Sequence, residues 1–574
     1  MTVPTNQFAA IAKWLSRVSV SLYLLVVMSG LVAFSVWRGT DTYYDLLNIK
    51  WYSGWSLITG NFDLAGIAST RITQPPIHDG LQVLLNFPNI WWIPPATNAL
   101  FHSLLVVLVF ISCRELLPST SKWPAAVFAS LSVVSPLVLM QMGTSTGHLY
   151  SALFLAGALH VLIRTQERAS AAFAAGCLLG MALLFKSSTM ALMPSLAVGA
   201  VVIVGSGSAA VALFAGIAVG YGAVSIPWSV FATLRAGRRL SQVGFPGVPT
   251  GAGVLVVAGL FATGLLGLAV WARGRGKRGS PRHGRLDSLF FRVQLAGCLV
   301  LVPVTAAFVR REAPDFRFLI SEPSEFLHRL FHTGDLAFGF ETRDLEVGYF
   351  DTRVPFATAL VLASLLPLLV VLFGGIRGRL RRETGIILFC SLPVVANVWS
   401  TGYTRYAVEV MPLIPVALIA LGSMVSYESW LRKAVLLFGA FVLLFPTLPN
   451  GRLSAGIPRF GQVEFTAPVY EPYLGNTDLQ LVSDLLPGNG RVLGVGSLIS
   501  YVAPSLNRSD LTWSFERPSR SEIANLEGPL SLIYQPEASL LLQGYVDRGI
   551  VLGRCEVLRF DYANIGWCEA SVAN

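Results

Sequence analysis

Apolar residues occur along the chain in runs of about twenty, the length of helix that crosses a bilayer core of roughly 30 Å. About thirteen such runs are recognisable, and each predicts a transmembrane helix. The runs are 19–37, 98–113, 124–142, 148–163, 169–185, 188–204, 207–232, 250–272, 289–309, 354–375, 384–400, 405–425 and 434–448. The pattern therefore predicts a polytopic α-helical membrane protein.

The composition supports this class. Of the 574 residues, 53% are hydrophobic and 13% are charged, and the mean hydropathy is +0.61. Soluble domains carry about 25% charged residues, so a large soluble multidomain protein is excluded. No small-residue cleavage site follows run 19–37, which is therefore expected to be a retained helix rather than a cleaved signal peptide.

Basic residues cluster at alternate ends of the predicted helices. Short loops rich in Lys and Arg stay in the cytoplasm. This rule places the N-terminus inside, and it places the loops 38–97 and 310–353 and the tail 450–574 outside. The exception is a set of arginines on the predicted outer side, namely Arg235, Arg238 and Arg239. They either bind a phosphate there or mark a misplaced helix. We expect a multi-pass protein of the plasma (inner) membrane, whose net charge of +10 requires no nucleic-acid partner.

The tail 450–574 has a different pattern. Its 13 Asp and Glu outnumber its 9 Lys and Arg, which fits an extracytoplasmic segment. Strands are predicted near 491–496, 511–515, 530–534 and 557–560, and helices near 522–526 and 537–545. Such alternation is typical of a small α/β domain. Cys555 and Cys568 lie thirteen residues apart and either close a hairpin as a disulfide or remain buried thiols.

The first outer loop carries the candidate chemistry. Asp41 and Asp45 follow the first apolar run directly, and a spacing of four residues would place them on one face of a helix. A carboxylate at the membrane surface can act as a general base, although a solvated helix cap is the alternative. Tyr44 can stack on a sugar or belong to the interfacial aromatic belt. His78 and Asp79 follow in the same loop.

Two cations are placed to bind a phosphate. Lys186 ends the run 169–185 on the predicted outer side, where its long side chain can reach a phosphate or anchor to lipid headgroups. Arg405 opens the run 405–425, also outside, and its planar guanidinium can grip a phosphate through two hydrogen bonds.

Six segments, in this order, resemble the type C (GT-C) membrane glycosyltransferases, in particular the branch with protein O-mannosyltransferases and the lipid A aminoarabinose transferase. The segments are Gly39-Thr-Asp41-Thr-Tyr-Tyr44, Trp55-Ser-Leu-Ile-Thr-Gly60, Gln74-Pro-Pro76, Gly143-Thr-Ser-Thr-Gly-His148-Leu-Tyr150, Gly176 to Lys186, and Arg405-Tyr406 with Pro412 and Pro415. The resemblance covers most of residues 19–449. It implies a GT-C-like transmembrane glycosyltransferase domain over 1–449, with a small extracytoplasmic α/β domain over 450–574.

The resemblance also implies a reaction. A sugar would pass, with inversion, from a polyprenyl-phosphate donor to a lipid, glycan or protein acceptor on the extracytoplasmic side. Asp41 would be the base. The residues expected to bind substrate are Tyr44, His78, Asp79, His148, Lys186, Arg405 and Tyr406, although both histidines could instead be polar loop residues. A divalent cation is left open as a cofactor.

The chain departs from the family pattern at the second acid. The carboxylate common between the third and fourth helices is replaced by Gly147-His148, and Asp41 is followed by Thr42 where the family often has Glu. Asp45, Asp79 and the acids of loop 310–353 are candidates to substitute. Two other functions are therefore considered, a transporter of lipid-linked saccharides and a non-catalytic partner in cell-envelope glycan assembly. A transporter is expected to show internal repeats, and none is evident in the sequence.

Overall fold

The computed structural model contains long helices and a small C-terminal sheet. It describes the following residues: 19–38, 54, 57–58, 77–86, 90, 92–117, 122–134, 136–164, 168–186, 189–236, 281–312, 381–401, 408–424, 476–495, 502, 506, 508, 510–514, 520–526, 528–534, 536, 540–560 and 564–573.

Except for one short helix within the loop 38–97, the helices before the tail follow the apolar runs. They are α1 Val20–Arg38, α2 Ile77–Asn86, α3 Ile93–Leu116, α4 Trp123–Val134, α5 Pro136–Gln141, α6 His148–Arg164, α7 Ala169–Phe185, α8 Thr189–Val204, α9 Gly207–Ala236, α10 Pro281–Glu312, α11 Arg381–Thr401 and α12 Ile414–Met424, the last preceded by a 3₁₀ turn at Met411–Leu413. The described part of every run contains helix, although run 124–142 is divided into two helices and run 405–425 has a turn at 408–410 before its 3₁₀ turn.

The number of membrane crossings stays a prediction. Within the described part of the chain, four helices are long and apolar enough to span a bilayer: Val20–Trp37, Ile93–Leu116, Gly207–Trp228 and Asp287–Thr305. The other apolar helices there are shorter, and the runs 250–272, 354–375 and 434–448 lie outside the described residues.

Glycines let α7 and α9 approach closely. A side chain at Gly176 or Gly180 would collide with the backbone of α9, and one at Gly216 or Gly220 would collide with the backbone of α7. The spacing of four residues on both helices places these glycines on one face of each, as in helix pairs of membrane proteins that associate through small residues. Close packing of two backbones therefore joins α7 to α9.

Helix α8 lies at the centre of the helical part. All of its residues except Ala191 are buried. On one side it contacts α11, where Gly199 packs against the backbone of Phe389 and Gly385 packs against Ile203. The first residues of α8, Thr189 and Met190, are therefore buried in the protein interior.

The C-terminal sheet has five strands in the order β2-β1-β3-β5-β4. The elements of this part are α13 Asn476–Leu485, β1 Gly490–Val495, β2 Leu511–Ser514, α14 Arg520–Ala524, β3 Leu530–Tyr534, α15 Leu540–Val546, β4 Ile550–Arg559 and β5 Asn564–Val572. Strands β1, β2 and β3 are parallel, whereas β5 runs antiparallel to both β3 and β4. Helices pack with both faces of the sheet, since separate apolar clusters form around Val492 and around Leu493.

The structure confirms the mixed pattern of the tail and corrects its details. Strand β5 and helix α13 were not predicted, and β4 begins seven residues before the predicted start at Val557. Cys555 and Cys568 face each other across β4 and β5 and form a disulfide, with 4.1 Å between their Cα atoms. The disulfide interpretation of this cysteine pair is therefore confirmed.

Candidate functional site

Helix α2 carries two of the predicted site residues in the first outer loop. His78 is buried, and its Nδ1 atom lies 3.6 Å from Oδ1 of Asp79. The imidazole ring meets Tyr150 edge-on at 5.2 Å between ring centroids and Phe185 at 6.0 Å. His78 is therefore packed between side chains of α6 and α7, and its role in binding substrate stays a prediction.

An amide pair joins α2 to the start of α3. The Nε2 group of Gln82 donates to Oδ1 of Asn98 at 3.1 Å, and Nδ2 of Asn98 donates to Oε1 of Gln82 at 3.0 Å. The hydroxyl of Tyr150 donates to the same Oδ1 atom of Asn98 at 2.7 Å. These three side chains are buried, and the hydrogen bonds between them offset the cost of removing their polar groups from water.

The segment between α5 and α6 forms a tight buried turn. Gly143 and Gly147 have φ values of +76° and +80°, which residues with a side chain rarely adopt. The backbone N–H of Gly143 donates to Nδ1 of His102 at 3.2 Å, which assigns the proton of a neutral His102 to its Nε2. A Cβ atom at Gly147 would lie 2.5 Å from the carbonyl oxygen of Phe185. Gly147 therefore lets this turn lie directly against α7, and Gly143 lets it lie against α1 and the start of α3.

His148 begins α6 and contacts a buried acid from a distant part of the chain. Its Nδ1 atom lies 2.9 Å from Oε1 of Glu409, whose side chain has no solvent exposure. The hydroxyl of Thr189 donates to Oε2 of Glu409 at 2.8 Å, and Oγ of Ser151 lies 2.8 Å from that hydroxyl oxygen. Both oxygens of the Glu409 carboxylate are thereby engaged by residues of α6 and α8.

Lys186 follows α7 and is half-buried at the edge of this cluster. Its backbone N–H donates to the carbonyl of Ala182 at 3.2 Å, and its own carbonyl accepts from the N–H of Thr189 at 3.2 Å. Lys186 is therefore attached to the residue that contacts Glu409. Its sequence neighbour Phe185 stacks on Tyr150 with 5.5 Å between ring centroids.

Several predicted residues cannot be placed. Asp41, Tyr44, Asp45, Arg405 and Tyr406 lie outside the described residues, as do Arg238 and Arg239. Their roles stay predictions. Of the predicted residues within the described part, His78, Asp79, His148 and Lys186 belong to one connected region.

Sequence reasoning missed residues that the structure assigns to this region. They are Gln82, Asn98, His102, Thr189 and Glu409. Glu409 was detectable in principle, because it is an acid within the apolar run 405–425, and an ionisable residue in such a run is a functional candidate. The others had no distinct signal, since single amides, threonines and histidines at helix ends are common.

Among the residues that the structure describes, no group of three or more His, Cys, Asp or Glu side chains is arranged to hold a metal ion. The acids of the first loop around Asp41 are outside that set, so the question of a divalent cation is unchanged.

Segments that are far apart in sequence thus meet at one place. The helix after Gln74-Pro-Pro76, the turn Gly143 to His148, the end of α7 at Lys186 and the segment with Glu409 contact one another through the bonds given above. All four belong to the ends of helices that the basic-residue pattern places on the outer side. The connected polar side chains make this region the candidate site.

Comparisons with known proteins were made on sequence and on structure. No protein-family model matches the chain, and a search of the curated proteins returns no match. Solved structures do match. The oligosaccharyltransferase of Archaeoglobus fulgidus in the apo form is 13% identical, with a TM-score of 0.45, over 89% of this chain and 69% of that chain.

Two further structures extend the comparison. ArnT from Cupriavidus metallidurans bound to undecaprenyl phosphate is 14% identical, with a TM-score of 0.39, over 96% of this chain and 97% of that chain. The arabinofuranosyltransferase AftD from Mycobacteria is 13% identical, with a TM-score of 0.41, over 96% of this chain and 40% of that chain. These three proteins are GT-C glycosyltransferases. At these identities and TM-scores the likeness is one of fold and by itself assigns no activity to this chain.

Proposed function

We propose that the chain is an integral-membrane glycosyltransferase that moves a sugar from a polyprenyl-phosphate donor to an acceptor outside the cytoplasm. One observation carries the proposal. Segments that resemble separate family motifs are brought into contact around His78, His148, Phe185 and Glu409, although they span more than 300 residues of the chain. A shared site is the expected reason for such convergence of buried polar groups.

In the proposed reaction, the acid of the first outer loop and the cations near the membrane surface have separate roles. Asp41 takes the proton of the acceptor as the acceptor oxygen or nitrogen attacks C1 of the sugar, and the bond from C1 to the phosphate breaks. Lys186 and Arg405 bind the phosphate, whose charge calls for cations at the membrane surface. Tyr44 and Tyr406 contact the donor sugar or phosphate. Backside attack by the acceptor inverts the configuration at C1.

The phosphate end of the proposed site has support from the described residues. Lys186 lies at the end of α7, directly after the half-buried Phe185, whose ring stacks on the buried ring of Tyr150. A long basic side chain with an apolar stem suits this position, because the stem lies along apolar groups while the ammonium reaches a polar one. A lipid phosphate joins an apolar chain to an anion and matches that arrangement.

The proposed location on the outer side rests on the charge pattern and on the tail. The disulfide between Cys555 and Cys568 fits an oxidising compartment outside the cytoplasm. A protease site placed after Asn574 tests this directly. Cleavage by protease added to intact cells or spheroplasts is expected, and cleavage only after the membrane is opened would contradict the proposed orientation.

The function is tested by transfer in a purified system. The protein is reconstituted in nanodiscs with polyprenyl-phosphate sugars that carry radiolabelled hexoses or pentoses, and lipid, glycan and protein fractions are offered as acceptors. Release of polyprenyl phosphate coupled to labelling of one fraction supports the proposal. Movement of the intact lipid-linked sugar across a bilayer without transfer would instead support a transporter. If the protein shows neither transfer nor transport but binds enzymes of envelope glycan assembly, the result would support the assembly-partner alternative.

A further inference from the structure

The carboxylate of Glu409 is completely buried and is bonded on both of its oxygens. Oε1 meets Nδ1 of His148 at 2.9 Å, and Oε2 accepts from the hydroxyl of Thr189 at 2.8 Å. The hydroxyl of Ser151 lies 2.8 Å from that of Thr189. These residues come from α6, α8 and the segment before α12, so the carboxylate joins three parts of the chain.

The direction of each hydrogen bond follows from the chemistry of the groups. An ionised carboxylate only accepts, so Thr189 uses its single hydroxyl proton on Glu409, and Ser151 must then donate to Thr189. By the same rule the bond between His148 and Glu409 has its proton on Nδ1 of the ring. The carboxylate therefore fixes both the orientation and the proton arrangement of the imidazole, and Nε2 is the ring atom on the opposite side.

The bond between these two side chains has a chemical consequence. A carboxylate on one nitrogen of a histidine ring orients the imidazole for proton transfer at its other nitrogen. The pair is therefore suited to proton transfer through Nε2 of His148.

The pair also lies beside the proposed phosphate-binding residue. The N–H of Thr189 donates to the carbonyl of Lys186 at 3.2 Å, and Gly147, the residue before His148, packs against the carbonyl of Phe185, the residue before Lys186. His148 and Lys186 consequently extend from two contacting backbone segments. A phosphate bound by Lys186 would lie in the neighbourhood of the imidazole.

We propose that His148 is the proton donor to the leaving polyprenyl phosphate and that Glu409 is the positioning residue that holds it. This inference rests on the proposed function. As the acceptor bonds to C1 of the sugar, the bond from C1 to the phosphate oxygen breaks, and its electron pair goes to that oxygen. The proton on Nε2 of His148 passes to the same oxygen, while the acceptor proton passes to the proposed base. The two residues then exchange their protons with water, so no further reactant is needed.

The test compares His148→Gln, Glu409→Gln and the double variant in the reconstituted transfer assay. Loss of a general acid typically lowers a rate by about 10²–10⁴-fold. We expect His148→Gln to lower kcat within that range and Glu409→Gln to lower it by about 10²-fold, near its lower end. The KM for the donor should change little in both. The double variant should be no slower than His148→Gln, because the two residues act as one unit.

Thr189 provides a matched pair of milder changes. Thr189→Val keeps the shape of the side chain and removes its hydroxyl from Glu409, whereas Thr189→Ser keeps the hydroxyl. We expect a lower kcat for Thr189→Val and recovery of the rate in Thr189→Ser. A role limited to packing would lower the melting temperature of the variants without this recovery.

The outcomes separate the inference from the function on which it rests. If the wild-type protein transfers no sugar from any polyprenyl-phosphate donor, the proposed function fails. If the wild type is active and folded His148→Gln retains its kcat, the inference is wrong while the function stands. If Glu409→Gln does not fold, the inference is tested with His148→Gln and the two Thr189 variants instead. A normal kcat in both His148→Gln and Thr189→Val would then overturn the inference.

Discussion

Gln82 and Asn98 exchange two hydrogen bonds between their side-chain amides, of 3.1 and 3.0 Å, in a region with almost no solvent exposure. These two hydrogen bonds link helix α2 of the first outer loop to the start of α3. Asn98 also accepts from Tyr150, so the same amide connects α6 to that loop. The position of His78, four residues before Gln82 on α2, therefore depends on Asn98.

Asn98→Ala is expected to lower the stability of the protein and loosen α2. Removing Asn98 takes away the hydrogen-bond partner of Oε1 of Gln82 and one partner of the Tyr150 hydroxyl, and the loss of a partner by a buried polar group typically costs about 1–3 kcal/mol. Thermal unfolding of the detergent-purified protein, followed by size-exclusion chromatography, measures the effect. Thr97→Ala, at a half-buried neighbouring position, is the control and should be close to wild type. Equal melting temperatures for both variants would show that the pair is dispensable.

The glycine contact between α7 and α9 gives a second stability prediction. A methyl group at Gly176 would collide with the backbone of Leu213 and Gly216, so Gly176→Ala should separate the helices and cost about 1–3 kcal/mol. Gly297→Ala is the matched control, because a Cβ atom there meets no heavy atom within 4 Å. The melting temperature should fall only for Gly176→Ala. A normal value would indicate that α7 and α9 are not in close contact.

The helices and the outer-end location of the site follow from local patterns in the sequence. An apolar run of about twenty residues can satisfy its backbone in lipid only as a helix, which is why each described run is helical. The start of α5 at Pro136 is also a local effect, since proline is favoured in the first turn of a helix. Lys186 and His148 could be singled out because they stand at the ends of such runs.

Contacts between distant segments could not be predicted in this way. Glu409 and His148 are 261 residues apart, and no periodic pattern connects them. Asn98 and Gln82 likewise pair only because α2 packs against α3. Strand β5 was missed because its sequence, Asn564–Val572, lacks a continuous apolar pattern and is stabilised by pairing with β3 and β4. These features depend on tertiary packing rather than on local preference.

The C-terminal sheet should respond to acid through Asp510. Its carboxylate accepts from Nε of Arg508 at 2.7 Å, and the same guanidinium donates to the carbonyl of Pro487 at 2.8 Å. The hydrogen bonds from Arg508 lower the pKa of Asp510. A lowered pKa means that the pair stabilises the fold above the ordinary value of about 3.9, and that this contribution is lost as the pH falls through the lower value of the folded state.

Hydrogen exchange with mass spectrometry of the full chain measures this effect. Protection of the β2 amides at Leu511–Ser514 should be constant at neutral pH, after correction for the intrinsic exchange rate, and should decrease below about pH 4. Asp510→Asn should show reduced protection at neutral pH and less change on acidification. An identical pH dependence in wild type and Asp510→Asn would mean that other carboxyls govern this part of the protein.

Lys186→Ala and Arg405→Ala should each weaken binding of the lipid donor. Loss of one charge-assisted contact to a phosphate typically costs about 1.5–3 kcal/mol, which corresponds to roughly a ten- to hundredfold higher Kd. Binding of undecaprenyl phosphate to the protein in nanodiscs, measured by native mass spectrometry, gives this value without knowledge of the sugar. Arg164→Ala, at the exposed far end of α6, is the control. Unchanged affinity in both test variants would remove these residues from the proposed site.

Asp41→Asn should abolish most transfer while leaving expression and donor binding near normal. The amide has the size of the carboxylate but cannot take the acceptor proton, and a general base typically contributes 10²–10⁴-fold to a rate. Asp45→Asn and Asp79→Asn are the matched comparisons within the same loop, and both should be milder. The assay is transfer of labelled sugar from the polyprenyl-phosphate donor, with undecaprenyl phosphate binding measured in parallel. Near-normal transfer in Asp41→Asn with an inactive Asp45→Asn or Asp79→Asn would move the base within the loop. Full activity in all three would contradict a base in the first loop and favour the transporter or assembly-partner function.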